Sequence, residues 1–293
     1  MIKYSVIIPY YEDNRLLRLV NTIPRDRYDI EIIIVDDCSR LVTANGLLSN
    51  TNIERNIKII TLPNNVGAGE ARNLGLKKAT GKWLLFADAD DRFAIDAFQI
   101  FDTYIESHCD LIYFKPFAET SDGIPSDRAI AYIELCKKYR VNDERTVDEL
   151  KTKFVVPWSK LYKSSFIKDN NITFDNVRFS NDVVFSVLAG LKAERIAVVN
   201  EIVYIVTESE GSLTSTLSKE SYLCRLDTLF RVNELIRNNK KHSYQHHTIG
   251  YCVRSLKLGF LFFLYVVYRC IKDQSPLLDF RNVKKRLRFN RST

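Results

Sequence analysis

Short apolar runs recur at regular intervals along the first 115 residues of the chain. Five of them are rich in β-branched or aromatic residues, namely YSVIIPY, IEIIIVD, IKIITL, WLLFAD and DLIYF. Between these runs the apolar residues have helical spacing, as at Leu16, Val20 and Ile23. Continuous apolar strands that alternate with helices are typical of parallel strands covered on both faces. The pattern predicts an α/β protein with a mostly parallel sheet flanked by helices.

The rhythm of strands and helices weakens after residue 115. FAETSDGIPSD is interpreted as a loop and DERTVDELKTKF as a solvated helix, before VPWSKLYKSSFIKDNNITF restores order. FSNDVVFSVLAGL then predicts the start of a helix, and RIAVVNEIVYIV predicts a strand. From residue 219 the pattern is helical, and one apolar face contains Tyr222, Leu226, Leu229 and Ile236. We therefore predict a domain over residues 1–217, divided near residue 115, and a helical carboxy-terminal region over residues 218–293.

The basic charge of the chain is concentrated at its carboxyl end. Residues 281–293 hold six Lys or Arg and no acid, out of a net charge of +7 for all 293 residues. The rest of the chain therefore carries only +1, which argues against a nucleic-acid partner. The amino terminus, MIKYSVIIPYY, has neither the charged start nor the cleavage site of a leader, and no apolar run reaches 18 residues. We expect a cytoplasmic protein.

The carboxy-terminal region suggests contact with a membrane surface. The apolar run LGFLFFLYVVY at 258–268 is too short to span a hydrocarbon core of about 30 Å, so it either packs on the domain or meets the membrane interface. Near an anionic leaflet each Lys or Arg of the tail is worth about 1 kcal/mol. We predict peripheral binding of residues 281–293 to the inner face of the cytoplasmic membrane.

Three carboxylates directly follow the fourth predicted strand, in the sequence WLLFADADD. Asp88, Asp90 and Asp91 would repel one another without a counter-charge. The spacing of Asp88 and Asp90 allows both side chains to point the same way, an arrangement that suits Mg²⁺ or Mn²⁺ shared with a phosphate-bearing substrate. The alternative is that they only end the strand and cap the helix that begins near Ala94. A single aspartate would suffice for a cap, which favours a metal site.

Other charged residues are predicted at the same edge of the sheet. Asp36 and Asp37 close the second strand, where a carboxylate suits a base or ribose, although DDCS could equally be a turn. Gly67 and Gly69 suggest a dinucleotide-binding loop, but the third glycine position holds Arg72 and the loop follows the third strand. Arg72, at the start of a helix, suits a diphosphate.

Two further residues have both a structural and a functional interpretation. Asp182 precedes an apolar helical face, so the residue pattern alone favours a helix cap over a catalytic base. Trp158 lies two residues before Lys160 in a loop-rich segment, where it could belong to the core or form a wall of an acceptor site. The histidines and the scattered cysteines show no metal-ligand spacing.

Taken together, these segments resemble family 2 glycosyltransferases of the GT-A fold over residues 3–217. The resemblance rests on VIIPYYED, IIIVDDCS, NVGAGEARNLGLKKATGKWLLFADADD, WSKLYKSSFI, FSNDVVF and YIVTESEGSLTS. It implies a nucleotide-sugar half over about residues 1–115 and an acceptor half over about 116–217. The nucleotide-sugar contacts that we carry over, on the motifs or on the charge of the residue, are Pro9, Tyr11, Asp37, Arg72, Asp88 and Asp91.

The resemblance also assigns the reacting groups. Asp88 and Asp90 match the family's D-x-D pair, with Asp90 as the direct ligand of Mn²⁺ or Mg²⁺, and Asp182 matches the catalytic base of the family's Glu-Asp pair. Two departures are visible. Asn181 replaces the glutamate of that pair, and Tyr204 is followed by Ile205, Val206 and Thr207 where the family often has an aromatic-Arg pair.

The resemblance implies an inverting transfer of a hexose or N-acetylhexosamine from a nucleotide diphosphate, such as a UDP-sugar. The acceptor would be a glycan or a polyprenyl-linked glycan in cell-surface polysaccharide synthesis. Two alternatives stay open. A sugar-phosphate nucleotidyltransferase would need a Gly-rich basic loop after the first strand, where this chain has PYYEDN. A catalytically silent protein that binds nucleotides or glycans would show no donor turnover with Mn²⁺.

Overall fold

One β-sheet organises the amino-terminal part of the chain. The computed structural model describes residues 1–24, 26–49, 56–208 and 218–277. Within these ranges eight strands form the sheet: β1 Tyr4–Tyr10, β2 Ile30–Asp36, β3 Ile57–Thr61, β4 Trp83–Phe86, β5 Arg92–Phe93, β6 Leu111–Thr120, β7 Lys160–Lys163 and β8 Ile196–Glu208. Their spatial order is β3-β2-β1-β4-β7-β6-β8-β5.

Most neighbouring strands of this sheet run in the same direction. β1 pairs in parallel with β2 and β4, β2 with β3, and β6 with β8. β7 is antiparallel to β4 and β6, and β5 is antiparallel to β8. All residues of β1 and β2 are buried, which explains why their sequences are apolar throughout rather than alternating. The predicted mostly parallel sheet is confirmed.

Helices connect and flank the strands. In the described residues before position 209 they are α1 Leu16–Asn21, α2 Ala44–Leu48, α3 Ala68–Lys78, α4 Ala97–Asp102, α5 Ile130–Lys138, α6 Glu144–Lys153, α7 Ser164–Asp169 and α8 Val183–Lys192. Helices α1 and α4 are shorter than the spacing of their apolar residues predicts, since α1 ends before Ile23 and α4 begins after Ala94. Both ends continue as turns whose amide groups still bond to the preceding carbonyls.

Two sequence interpretations of the middle segment are wrong in part. The segment FAETSDGIPSD begins as strand rather than loop, because β6 extends to Thr120. Its charged end is accommodated by an ion pair in which Arg92 donates to both carboxylate oxygens of the buried Glu119, at 3.0 and 2.9 Å. The helix predicted as solvated, α6, buries one face that includes Leu150 and packs against α8.

A buried carboxylate joins the starts of the first four strands. Glu31, the second residue of β2, is 3% exposed. Its Oε1 accepts hydrogen bonds from Ser5 Oγ at 2.6 Å and from the amide and hydroxyl of Thr80 at 2.6 and 2.8 Å. Its Oε2 accepts from Lys58 Nζ at 2.7 Å. Because these strands are parallel, this cluster lies at the edge opposite the strand ends that carry the predicted site.

The chain divides into two compact units, Met1–Leu213 and Thr214–Thr293. The second unit contains α9 Lys219–Asn238, α10 Ile249–Ser255 and α11 Phe260–Lys272. The four residues predicted to share an apolar face of α9 are all buried. Three of them, Tyr222, Leu226 and Leu229, belong to a small core that also contains Phe230, Cys252, Phe262, Val266 and Cys270.

Two predictions about the membrane concern this second unit. Among the described residues, no helix has both the length and the apolarity that a membrane crossing requires. The basic tail at residues 281–293, on which the predicted peripheral binding rests, lies outside the described residues.

Candidate active site

Three carboxylates lie close together where β4 ends. Asp88, Asp90 and Asp91 each offer one ligand oxygen, and these oxygens lie within 4.8 Å of one another. Burial and the charge of Asp88 raise the pKa of Asp90, and burial with both neighbouring charges raises the pKa of Asp91 well above its ordinary value. A cation would relieve this repulsion, and carboxylate oxygens are the ligands that Mg²⁺ and Mn²⁺ prefer. The cluster therefore fits the predicted divalent metal.

Arg72 bridges the first of these carboxylates to the start of α8. The residue lies in the first turns of α3 and is 6% exposed. Its guanidinium donates to Asp88 Oδ1 at 2.5 Å and to Asn181 Oδ1 at 2.8 Å, and it lies over the ring of Phe174 at 5.4 Å. Its buried Nε has no hydrogen-bond partner among the described residues. Arg72 thus brings together two predicted motifs that are 93 positions apart in sequence.

Asp91 is held from the last strand of the sequence. Its Oδ2 accepts a hydrogen bond from the Tyr204 hydroxyl at 2.9 Å, and its Oδ1 accepts from the amide of Thr207 at 2.7 Å. The same tyrosine hydroxyl accepts from the amide of Asp88 at 2.9 Å. Asp91 is buried, so both of its oxygens are satisfied by protein groups from β8. This geometry suits a residue that fixes the shape of the carboxylate loop.

Two arginines of the segment that follows β1 also reach the carboxylate loop. Arg15 pairs with Asp13 and lies 3.6 Å from a carboxylate oxygen of Asp90. Arg18 donates to the backbone carbonyl of Asp90 and to the Thr207 hydroxyl, at 2.5 and 2.7 Å. Its buried Nε has no partner among the described residues. Together they place positive charge beside the carboxylates, where a diphosphate would also be attracted.

The residues predicted for the nucleotide pocket lie at the carboxyl ends of β1 and β2. Pro9 is buried within β1, while Tyr11 follows the strand and is 54% exposed. Asp37 accepts hydrogen bonds from the amides of Val66 and Gly67 at 2.7 and 2.8 Å. Asp37 therefore shapes the loop that leads into α3, and Gly67 in that loop has a φ of 89°, which favours glycine.

Asp182 occupies the first capping position of α8 but does not cap it with its side chain. The carboxylate makes no capping hydrogen bond, whereas Thr43 and Asp143 do so at the starts of α2 and α6. Burial raises the pKa of Asp182, and the charge of Arg72 opposes that effect without cancelling it. The sequence-based preference for a cap therefore loses its structural basis. A carboxylate with a raised pKa is better matched to accepting a proton near neutral pH.

Trp158 and Lys160 are surrounded by aromatic side chains, and Trp158 contacts the tyrosine that holds the carboxylate loop. Trp158 is buried and stacks on Tyr204, with ring centroids 5.7 Å apart and planes 13° apart. Lys160 is also buried; its Nζ donates to the carbonyl of Phe154 at 2.8 Å and lies 5.0 Å from the ring centre of Tyr113. Burial lowers the pKa of Lys160 well below its usual range. Trp158 supports the site through Tyr204, and its contact with an acceptor stays a prediction.

Several residues of this arrangement were not singled out from the sequence as site residues. Arg15 and Arg18 lie about one helical turn apart, shortly after the first strand. That spacing and the nearby strand end were the only signals in the sequence. Tyr204 and Thr207 were noted only because the segment after Tyr204 lacks the aromatic-Arg pair often found in the family. Their hydrogen bonds to the carboxylate loop join positions more than a hundred residues apart, which no local pattern encodes.

A mostly parallel sheet with a carboxylate cluster and a buried arginine at its carboxyl edge has the architecture of a nucleotide-binding α/β enzyme. Residues 5–170 match the family described as Glycosyl transferase family 2. The chain therefore belongs to this family, and the predicted family membership is confirmed.

Relatives whose names state a glycosyltransferase activity support this assignment. Over 224 residues the chain is 28% identical to "Poly(ribitol-phosphate) beta-N-acetylglucosaminyltransferase TarS" of Staphylococcus aureus, covering 74% of this chain and 37% of the relative. Over 205 residues it is 31% identical to a "Poly(ribitol-phosphate) beta-glucosyltransferase" of Bacillus spizizenii, covering 67% and 31%. The chain thus spans only about a third of the length of these two relatives.

A solved structure confirms the predicted GT-A fold. The crystal structure of S. aureus TarS residues 1–349 in complex with UDP-GlcNAc matches this chain with a TM-score of 0.62 and 26% sequence identity. The match covers 81% of this chain and 67% of that structure.

Proposed function

We propose that this chain is an inverting glycosyltransferase that moves a sugar from a nucleotide diphosphate to a hydroxyl group of a glycan or a lipid-linked glycan. The observation that carries the proposal is the state of Asp182. Its carboxylate is not used as a helix cap, its pKa is raised, and it lies within electrostatic reach of Arg72 and Asp88. A base beside a diphosphate-binding group is what single-displacement transfer requires.

The donor we propose is a UDP-sugar. The TarS match supports the nucleotide, because that structure was solved with UDP-GlcNAc. The two relatives differ in the sugar that their names specify, N-acetylglucosamine in one and glucose in the other. Both sugars are hexose derivatives, so we propose a UDP-hexose or UDP-N-acetylhexosamine. Pro9, Tyr11 and Asp37 would border the uridine, at the ends of the two strands where the sheet presents its nucleotide edge.

The reaction is a single displacement at the anomeric carbon. The acceptor hydroxyl oxygen forms a bond to that carbon while Asp182 takes the hydroxyl proton. The bond between the anomeric carbon and the diphosphate oxygen breaks, and its electron pair leaves with the diphosphate. No covalent intermediate with the protein is needed, and the configuration inverts because attack and departure occur on opposite faces.

The charge that develops on the diphosphate is the second task of the site. Asp90 and Asp88 would hold Mg²⁺ or Mn²⁺, which when bound neutralises negative charge on the leaving group. Arg72 adds a fixed positive charge, and its unpartnered Nε gives it a donor for a phosphate oxygen. Arg15 and Arg18 approach Asp90, whereas Arg72 contacts Asp88. Asp91 positions the loop through Tyr204 and Thr207, and its contact with the nucleotide sugar stays a prediction.

The acceptor and the cellular setting follow from the carboxyl end and from the relatives. Both relatives act on a poly(ribitol-phosphate), according to their names, which supports a surface polysaccharide or its lipid-linked precursor as the acceptor class. The basic tail at residues 281–293 would hold the protein at the inner face of the cytoplasmic membrane, where a polyprenyl-linked acceptor is found.

A panel of nucleotide sugars tests this function. The melting temperature of the full chain is measured with each sugar, in Mn²⁺ and in chelator, because a ligand that binds only the folded state raises the midpoint. We expect a UDP-sugar to raise it in Mn²⁺. That sugar is then incubated with a polyprenyl-linked glycan, and the configuration of the product is determined by NMR.

Three outcomes would contradict the proposal. A protein that binds the donor but neither transfers its sugar nor slowly hydrolyses it would be a catalytically silent nucleotide-binding protein. A product that retains the donor's anomeric configuration would exclude single displacement. Stabilisation by a sugar phosphate together with a nucleoside triphosphate, with release of pyrophosphate, would indicate a nucleotidyltransferase instead.

A further inference from the structure

In the described part of the carboxy-terminal unit, a set of large apolar side chains is exposed. In α11 the residues Phe262, Val266 and Cys270 are buried and form the inner face. The opposite face is also apolar, with exposed fractions between 47% and 81% for Leu261, Leu264, Tyr268 and Ile271. An ordinary surface helix would carry polar residues on that outer face. The helix therefore has a second apolar side that the described core does not use.

The outer residues of α11 form a continuous stripe. Their spacings of three, four and three positions place them on one side of a helix with 3.6 residues per turn. The adjoining α10 segment adds Ile249, Val253 and Leu256, which are exposed and spaced by four and three positions. We call these seven residues the outer apolar face. Exposed apolar side chains grouped along a helix in this way are typical of an interaction site.

The segment that carries the outer apolar face is rich in basic residues. Residues 235–272 contain no Asp or Glu but include seven Lys or Arg. Lys257 is exposed three residues before α11 begins, Lys272 is exposed at the end of α11, and Arg254 is exposed next to Val253 in sequence. Arg269 is already paired with Asp227 through a contact of 2.5 Å, so its charge is partly neutralised within the protein and attracts an anionic partner less. The partner of this face is therefore expected to combine apolar material with negative charge.

An anionic lipid bilayer has that combination. A helix lying in the membrane interface buries one apolar side, keeps cations at the headgroup level and carries aromatic residues at the boundary. α11 has 13 residues and a length of about 20 Å, too short to cross a hydrocarbon core of about 30 Å. A second copy of this chain is a poorer match, because a twofold contact between these faces would bring Lys257 and Lys272 of both copies together.

We propose that the outer apolar face of α10 and α11 binds the surface of an anionic bilayer, with both helices lying in the plane of the interface. This inference does not depend on the proposed glycosyl transfer, and it adds a shallow apolar insertion to the electrostatic attraction predicted for the tail. The two contacts differ in their response to salt. High salt screens the tail, whereas buried apolar side chains stay in the membrane.

Vesicle sedimentation with full-length variants tests the proposal. Leu261→Glu with Leu264→Glu replaces two exposed leucines of the stripe, and Ile95→Glu replaces an exposed isoleucine of the amino-terminal unit as the matched control. The vesicles contain phosphatidylcholine and phosphatidylglycerol. We expect the double variant to lose at least about tenfold in partitioning, from the transfer free energy of two leucines. The control should sediment as the wild type does, with unchanged circular dichroism for all three.

A direct probe of insertion uses Tyr268→Trp. Its indole fluorescence should shift to the blue on addition of anionic vesicles and should be quenched by lipids brominated in the acyl chain. A further full-length variant with Lys284, Lys285, Arg286 and Arg288 changed to Gln removes four of the six tail charges and should keep this signal at reduced occupancy.

The proposal is overturned if the double glutamate variant sediments like the wild type, or if the Tyr268→Trp signal is absent or depends entirely on the tail charges. It is also overturned if the wild type is a dimer that the double variant dissociates while neither binds vesicles, because the face would then be an interface between copies of the chain.

Discussion

The hydroxyl of Tyr204 lies 2.9 Å from the carboxylate of Asp91 and donates a hydrogen bond to it. The same hydroxyl accepts a bond from the amide of Asp88. One side chain from β8 therefore fixes both ends of the segment that carries Asp90 between them. The metal ligand proposed from the D-x-D pair depends for its position on a residue 114 positions later in the chain.

Removal of that hydroxyl should loosen the carboxylate loop. In Tyr204→Phe the ring can still stack on Trp158, but the buried Asp91 loses a donor, which costs about 1–3 kcal/mol of unfolding free energy. Urea unfolding measures this loss, and calorimetry should show weaker donor binding in Mn²⁺. Tyr268→Phe, at an exposed position, is the control and should leave both unchanged. Equal stability of Tyr204→Phe and wild type would contradict the role assigned to the hydroxyl.

Replacement of Asp90 should separate metal binding from folding. Asp90→Asn retains the size of the side chain but removes a charge, so we expect donor affinity in Mn²⁺ to fall at least tenfold, or about 1.4 kcal/mol. The melting temperature without metal should stay the same or rise, because a repulsive charge is gone. Asp96→Asn, at an exposed position a few residues later, is the matched control. Equal donor affinity in Mn²⁺ and in excess chelator would show that the carboxylates do not hold a metal for the donor.

Asp182→Asn distinguishes a base from a structural residue. Asparagine has nearly the same shape but cannot take the acceptor proton, so transfer should fall at least about a hundredfold. Donor affinity and melting temperature should change little, because the native carboxylate makes no capping bond that asparagine would have to replace. Single-turnover transfer measures the effect. Turnover near that of the wild type would remove Asp182 from the mechanism.

The pH profile gives an independent view of the same residue. A base works only when deprotonated, so transfer should fall as the pH drops through the pKa of Asp182. Burial raises that pKa, so the loss should begin at a higher pH than an ordinary aspartate would give. The residual activity of Asp182→Asn should lack this acidic limb, and an identical limb in both proteins would assign it to another group.

Lys160→Met tests the buried amine. Burial lowers the folded-state pKa of Lys160, so between that value and the unfolded value of about 10.5 the unfolded chain binds more protons and stability rises with pH. We expect the methionine variant to equal or exceed wild-type stability at neutral pH, with the difference shrinking toward pH 10. Lys168→Met is the control, because Lys168 is exposed and also donates to a backbone carbonyl, that of Ala79. A constant deficit for Lys160→Met at every pH would contradict this account.

The sequence was sufficient for the sheet and for the principal charged groups. The strands are continuous apolar runs because both faces are buried, and parallel strands bring Asp37 and Asp88 to one edge by geometry alone. Partners of side chains were not predictable in the same way. Whether Asp182 caps its helix, or where Arg18 points, depends on contacts between distant segments that leave no periodic signal. The strand at Phe117–Thr120 was missed because its charged residue is stabilised by Arg92.

Glu31 shows how the fold distributes the effects of mutation. Its bonds to Ser5, Lys58 and Thr80 join the beginnings of four strands, while the proposed metal ligands Asp88 and Asp90 follow the end of a strand in the same sheet. The effect of a random substitution should therefore depend on its position along the strands, with one phenotype near the strand starts and another near the strand ends. Changes near Glu31 would reduce the amount of protein that a cell accumulates while each surviving molecule keeps its normal turnover. Changes to a carboxylate at the far ends, such as Asp90, would leave abundance intact and prevent formation of the product, so the sheet separates selection for folding from selection for catalysis.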